Sequence, residues 1–258
     1  LGNLSSWVAQ DLNLNGPEIS HSMTCTTGLH AIANGIAWLK SGLVEKFIAG
    51  GTEAPISLFT MEQFKSLKLL SNDTKHPYPC RPISNNSKNQ NRLVIGEGSA
   101  VFALEKLSKK NQNNRIAKID SIGFGVERIN SVTSITKYGD GFQDSMLQAI
   151  KDNNNFDIDM IILHAPGTIS GDLAELNAIR AIFGDNPPVI ISNKWMIGHT
   201  LGSSGCHSLE LAIHILHNDT YVNFPYPTKI NFKDRSINTI MINSAGFGGN
   251  FMSIIVSR

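Results

Sequence analysis

Neither sign of charge dominates this chain: 22 Lys and Arg against 21 Asp and Glu leave a formal net charge of +1. No long-range field therefore draws it to nucleic acid or to an anionic membrane surface, and neither is an expected partner. Cysteine is scarce. Cys25, Cys80 and Cys206 are odd in number and widely spaced in 258 residues. That excludes a disulfide framework and points to a reducing, cytoplasmic compartment with at most one working thiol. No apolar run is long enough to span a bilayer. No secretory leader is legible, although the chain starts at Leu1 without an initiator Met. Metal-ligand spacing is missing too. His207 and His214 are two helical turns, roughly 10 Å, apart, so with His217 they read as surface residues and no metal is expected.

What is present is a chain long enough for a sizeable core. From residue 116 onward it alternates strand and helix: strands over 116–126, 160–164, 188–192, 239–243 and 251–256, with helices over 142–151, 173–183 and 209–216. That alternation predicts a layered α/β domain. The first part runs helix 1–14, strand 17–23, helix 25–40, strand 46–49 leading into Gly50-Gly51, and strand 99–104. Its order matches the end of the second part, with 17–25 parallel to 188–196 and 47–51 parallel to 241–246. The chain is therefore read as an internal duplication, halves 1–114 and 115–258. The first copy lacks the opening strand, helix and strand of the second. A parallel sheet without them would expose unpaired edges, so further residues before Leu1, or a second chain, are expected to complete it. Residues 72–91, rich in Asn and Ser with three prolines, are expected to be a long functional loop.

The strongest local signal is Met23-Thr24-Cys25-Thr26-Thr27-Gly28-Leu29-His30. A thiol where a turn enters a helix meets unpaired N–H groups and the positive end of the helix dipole, which favour thiolate. Position alone leaves two readings open, a nucleophile and a buried structural thiol.

Residues 25–32 resemble the nucleophile motif of the β-ketoacyl synthases, which are thiolase-fold condensing enzymes. FIAGGTE (47–53), Arg81-Pro82 with VIGEGSA (94–100), Gly171-Asp172-Leu173-Ala174-Glu175, Asn193-Lys194-Trp195-Met196-Ile197-Gly198-His199 and NSAGFGGN (243–250) resemble further motifs of that family, in family order. The resemblance implies a thiolase-like layered αβαβα fold of two duplicated halves, the first incomplete here. It also implies a decarboxylative Claisen condensation. Cys25 would take an acyl group from phosphopantetheine presented by an acyl carrier protein, with no bound cofactor. A malonyl-type extender would then lose carbon dioxide and attack that thioester. His199 would stabilise the enolate oxygen. Lys194 would lie behind the histidines, met by Glu175, although Asp172 and Glu175 also fit a helix capping box. Phe247, beside Gly248, would gate the acyl and extender chambers, with a plain hairpin turn as the alternative. Thr168 and the residue at 166 would line the extender site. A homodimer through strand 17–23 is implied, with a heterodimer the alternative.

The pattern breaks at one place. Aligned on Gly167-Thr168, the family's first active-site histidine falls on Pro166, which carries no donor, acid or base. The stretch 168–171 is also about two residues short of the family pattern. His164 is the candidate substitute, because residues two apart on a strand share a face, roughly 6.6 Å apart. If the strand runs through Pro166, His164 points the same way. The alternative is a histidine that only fills the pocket wall. An acyltransferase or weak decarboxylase, and a non-catalytic partner subunit, are the rival functions.

Overall fold

Two antiparallel strand pairs of equal length anchor the two halves. The computed structural model describes residues 4–85, 90–111, 113–152, 157–228 and 236–258. In the first half come α1 (Leu4–Asp11), α2 (Thr27–Ser41), β1 (Lys46–Glu53), α3 (Leu58–Ser66) and β2 (Gly98–Glu105). The second half holds β3 (Lys118–Val126), α4 (Asp140–Lys151), β4 (Met160–Ile162), α5 (Ile169–Phe183), β5 (Val189–Ile191), α6 (Lys194–Ile197), α7 (Ser204–Asn218), β6 (Thr239–Gly246) and β7 (Asn250–Ser257). β1 and β2 pair over eight rungs as a two-stranded sheet, and β6 and β7 pair over eight rungs within a sheet ordered β3-β7-β6-β4-β5. β4 runs parallel to both β5 and β6.

The five-stranded sheet is buried on both faces, and the two-residue period sorts its side chains. Met160, Ile162, Val189, Ile191, Ile240, Ile242, Met252 and Ile254 face the helices α2 and α7. Ile161, Leu163, Ile190, Met241, Phe251 and Ile255 face α4 and α5. Leu29 and Ile32 of α2, with Leu209, Ala212 and Ile215 of α7, fill the space between this sheet and Ala49 and Ala100 of β1 and β2. The layers are thus helix, sheet, helix, sheet. Along β2, Ser99, Val101 and Ala103 point outward and are exposed. No described helix is long and apolar enough to cross a membrane.

The duplication is sharper in backbone than in sequence. Each half carries a 3₁₀ turn, Thr24–Thr26 or Leu201–Ser203, that opens directly into a 15-residue helix. Each turn starts on a non-glycine residue with positive φ, 51° at Thr24 and 43° at Leu201. α2 and α7 pack against each other at these ends. A side chain at Gly28 would strike the Cys206 sulfur and the Gly202 carbonyl oxygen, so glycine there lets the two turns approach. Cys25 therefore corresponds to Gly202, and not to Met196 as the strand-based register implied, because α6 and residues 198–200 intervene after β5.

Three other expectations change. Residues 17–23 form no strand within the chain. They run exposed, and no ladder hydrogen bond to a sheet is found for them among the described residues. A strand needs a neighbour's N–H and C=O groups, and here none is supplied. α5 begins at Ile169, not Leu173, with Thr168 as its N-cap residue. α3 and α6 were not foreseen.

The closest packing in the second half is β3 on α4. A Cβ at Gly123 would collide with the Ser145 carbonyl oxygen, whereas Gly16 has nothing within 4 Å of that position. Gly123→Val is expected to lower unfolding free energy by about 1–3 kcal/mol or more through overpacking, measured by urea denaturation. Gly16→Ala should leave the midpoint within about 0.5 kcal/mol of the parent. Equal midpoints for the two variants would contradict this packing.

Candidate active site

The Cys25 turn is held by the β6–β7 hairpin. Ser244 Oγ donates to the Cys25 carbonyl at 3.2 Å, Thr24 Oγ1 donates to the Phe247 carbonyl at 3.2 Å, and Thr26 Oγ1 bonds Asn250 Oδ1. Thr24 can sit at positive φ because this bonding over-determines it. Cys25 itself is buried.

His199 arrives from the other half. Gly198, at φ 72°, turns the chain out of α6. The backbone of His199 then pairs with the first half, its N–H donating to Val94 O at 2.7 Å and its C=O accepting from Gly96 N at 3.0 Å. So placed, His199 Nε2 lies 3.1 Å from Cys25 Sγ. The His164 ring stands edge-to-face on His199, centroids 5.2 Å apart. All three side chains are buried.

Burial sets the electrostatics. It pushes the Cys25 thiol up to about 12, opposed by the Lys194 cation and reinforced by Glu53. It holds His199 down at about 3, with Lys194 adding to the effect, and pushes His164 well below its ordinary value, with His199 and Lys194 contributing. The resting pair is therefore a neutral thiol beside a neutral imidazole, and not the thiolate that the helix position alone implied. Desolvation outweighs the dipole in this site. An imidazole 3.1 Å from sulfur is placed to take the thiol proton as the sulfur attacks.

Lys194 is almost fully buried, donating to Asn193 Oδ1 at 2.9 Å and lying 3.5 Å from Ser208 Oγ. Desolvation lowers it to about 8 while Glu175, Cys80 and Cys25 pull it back up. Glu175 acts on Lys194 at a distance only. No ion pair joins them among the described residues. The Glu175 carboxylate instead accepts from His164 N at 3.0 Å, Ala165 N at 2.8 Å and Asn243 Nδ2 at 3.1 Å. Nor do Asp172 and Glu175 form the capping box. Asp172 Oδ1 accepts from Gly167 N and Thr168 N, and Oδ2 accepts from Ile83 N. Since α5 starts at Ile169, Asp172 lies inside its first turns and reaches back.

The strand does not run through Pro166. The Leu163 N–H still bonds Ile191 O of β5, but the N–H groups of His164 and Ala165 bond Glu175 in place of a neighbouring strand, and β4 stops. Pro166 contributes its carbonyl to the Cys80 sulfur, 3.7 Å away. Thr168 is not brought into contact with the Cys25 cluster; it occupies the N-cap position of α5 without a side-chain capping bond and lines a cleft with Arg81 and Arg92. Gly248, at φ 95°, donates to Val132 O, and Phe247 stacks on Phe64 of α3, centroids 6.4 Å apart. Among the described residues no group of His, Cys, Asp and Glu is placed to hold a metal.

Sequence reasoning missed Glu53, Ser244, Asn243 and Phe64. Glu53 was visible as the last residue of FIAGGTE, and it accepts from Gly202 N at 3.0 Å. Phe64 had only the weak signal of Ser57, whose hydroxyl caps α3 by accepting from Thr60 N.

Residues 3–110 match the N-terminal domain of β-ketoacyl synthases and residues 116–225 the C-terminal domain. A 3-oxoacyl-[acyl-carrier-protein] synthase 2 of Coxiella burnetii is 28% identical over 98% of this chain and 65% of its own length. A 3-oxoacyl-[acyl-carrier-protein] synthase 1 of Buchnera aphidicola is 30% identical over 99% of this chain and 65% of its own. The chain thus spans about 65% of the length of these curated relatives. Among solved structures, a β-ketoacyl synthase from Burkholderia phymatum superposes with a TM-score of 0.84 at 25% identity, over 97% of this chain and 64% of that one. A type II polyketide ketosynthase, solved with its acyl-carrier protein and bound to a hexaketide, superposes with a TM-score of 0.86 at 21% identity, over 99% of this chain and 66% of that one.

All three thiols are pushed up to about 12 by burial, but Cys25 alone has an imidazole at 3.1 Å. Brief iodoacetamide treatment and peptide mapping should label Cys25 well ahead of Cys80 and Cys206. The rate should climb with pH from 7 to 9, since thiolate is scarce below the thiol pKa. Lys194→Met removes the charge that lowers that pKa and should slow labelling by about tenfold for each unit lost. Equal labelling of the three, or a plateau reached by pH 8, would remove this account of Cys25.

Proposed function

The chain belongs to the β-ketoacyl synthase family, with the thiolase-like fold of its members, and from that premise we propose that it condenses carrier-borne acyl chains, with Cys25 as the acyl acceptor. The observation that carries the proposal is the 3.1 Å contact between Cys25 Sγ and His199 Nε2 across the two halves. In the first half-reaction the sulfur attacks the thioester carbonyl of an acyl chain on the phosphopantetheine of an acyl carrier protein. The thiol proton passes by way of His199 to the departing carrier thiol, leaving acyl-Cys25. The backbone N–H groups of Cys25 and Phe247 are the proposed oxyanion donors. In the second, a malonyl-type thioester loses carbon dioxide, and its enolate carbon attacks acyl-Cys25, expelling the Cys25 sulfur and forming the 3-oxoacyl product.

Once the thiol proton has left, His199 in the tautomer protonated at Nε2 donates to the enolate oxygen in this scheme, and His164 is proposed as the second donor, because its ring stands against His199. Lys194 biases both imidazoles toward the neutral form and holds them there electrostatically. Glu175 positions His164 by gripping its backbone N–H. Phe247 and Gly248 form the proposed gate, and Pro166 the wall on the extender side. No bound cofactor enters the scheme. A second reading, an acyltransferase with weak decarboxylation, is favoured by one observation, proline at 166.

The acyl carrier protein is the proposed partner, together with a second copy of the chain. Residues 17–23 run exposed without a ladder partner, and pairing with their counterpart in a homodimer would satisfy them. A pathway of fatty-acid or polyketide type in the cytoplasm fits the scarce, unpaired thiols. Sedimentation of the protein as a strict monomer would count against the homodimer.

Losing one preorganised enolate donor costs about 2.7–4 kcal/mol, roughly a hundred- to a thousandfold in rate. If His164 is the second donor, His164→Ala should depress carbon dioxide release from malonyl-carrier protein by that factor, as His199→Ala does. Acylation of Cys25, followed by intact mass, should survive in His164→Ala. A His164→Ala variant that releases carbon dioxide at the parent rate, with Pro166→His raising it, would instead establish the second reading.

A further inference from the structure

A cleft on the far side of the α5 N-terminus carries a charge that the proposed chemistry does not use. It encloses about 470 Å³ of space, part of it open to solvent, between Arg81, Ser84, Gln90, Arg92, Thr168 and Asp172. Its two guanidinium groups differ. Arg81 is engaged, donating to Asp73 Oδ2 and to Tyr78 O, both at 2.7 Å. Arg92 is only 5% exposed, yet the one described polar contact of its side chain is Nη1 to Gln90 Oε1 at 2.9 Å. Its Nε is buried with no hydrogen-bond partner, and no ion pair joins it to a carboxylate among the described residues.

The other acid in the cleft does not neutralise Arg92. Asp172 is occupied by three backbone N–H groups, those of Ile83, Gly167 and Thr168. Burial pushes it up to about 7. Burial and the neighbouring Arg81 both disfavour charge on Arg92, with Asp73 the single opposing influence. A buried cation left with one neutral partner is expensive, and a bound anion removes that cost. The cleft also meets the start of a 15-residue helix, where Asn91 Oδ1 takes the Ile169 N–H at 3.0 Å, the Thr168 side chain makes no capping bond and the dipole favours negative charge.

We propose that this cleft is a binding site for a phosphate-class oxyanion, held by the Arg92 guanidinium and Thr168 at the α5 N-terminus. The Arg92 fork would take two oxygens. Two sources carry that chemistry, a free phosphate and the phosphate of a pantetheine arm. The site stands on Arg92 and α5 alone, and does not depend on the role of Cys25.

Calorimetric titration of the 258-residue chain with inorganic phosphate, at constant ionic strength, should give saturable binding of about millimolar strength or tighter. Acetate should bind about tenfold more weakly. Arg92→Gln should lose phosphate affinity by about tenfold or more, Arg92→Lys less, and Arg92→Gln should still melt cooperatively in chloride because it removes an uncompensated buried cation. If Arg92→Gln fails to fold, Thr168→Val supplies the second test and should weaken phosphate binding. Pantetheine 4′-phosphate binding more than about tenfold tighter than phosphate assigns the occupant to a carrier's arm. Equal affinities assign it to a free anion, and either result supports the site. No saturable binding, or binding unchanged in Arg92→Gln or Thr168→Val, overturns it.

Discussion

The approach of two turns from opposite halves is the constraint on which the rest of this structure depends. Cys25 and His199 are 174 residues apart, yet sulfur and nitrogen meet at 3.1 Å. That contact needs the 24–26 and 201–203 turns to touch, which Gly28 permits by presenting no side chain to Cys206 and Gly202. Glu53 then ties the end of β1 to the Gly202 N–H, and Ser244 ties the Cys25 carbonyl to β6. Each tie crosses from one half to the other, so neither half alone holds the pair in register. The apolar layer of α2 and α7 between the sheets keeps water away, which is why burial dominates every titration in the cluster.

Behind the pair, a buried polar chain fixes the backbone at the end of β4. Glu175 grips the N–H groups of His164 and Ala165, and Asn243 donates to Glu175. Ser253 donates to Asn243, and Ser253 and Ser145 share a hydrogen bond at 2.9 Å. Satisfied networks of this kind specify one arrangement, because any break strands a polar group in low dielectric. The chain explains why Glu175 is not available to pair with Lys194. A carboxylate already accepting from two backbone amides and a side-chain amide acts on Lys194 through space. Lys194 stays buried on Asn193 and Ser208, lowered to about 8 and thus still mostly protonated at neutral pH.

Much of this was legible in the sequence, for reasons that differ by element. The strands at 160–164 and 239–243 were readable because burial on both faces leaves an apolar run within each. Cys25 stood out because it lies where a turn enters a helix and in a motif that resembles the family's nucleophile, and His199 because its motif resembles one of the same family. Residues 17–23 were misread as a strand within the chain, since alternation says which residues suit a strand and nothing about a neighbour to pair with. α3 was invisible because it buries none of its residues fully and shows little amphipathic pattern. The start of α5 was misplaced because Asp172 resembles a cap and acts instead from within the helix. The pairing of Glu175 with backbone amides has no local signature at all; it depends on where β4 stops.

Proline at 166 has its physical meaning in that last fact. A residue at the end of β4 could bring an imidazole to the enolate only if its side chain reached past the backbone that Glu175 holds. Proline offers no imidazole and also no N–H, but its carbonyl still accepts a contact from Cys80. Two residues earlier, His164 keeps its backbone donor in the Glu175 grip, and its ring falls against His199 at 5.2 Å. The same network that would orient a histidine at 166 therefore orients the one at 164. A second imidazole beside His199 is retained although the motif that announces it is lost. The two half-reactions make unequal demands on this arrangement. In the cycle proposed above, acyl transfer would use the sulfur, His199 and backbone donors, all independent of residue 166. Decarboxylation alone would depend on which imidazole stands second, so in that cycle proline at 166 falls on one step and leaves the other untouched.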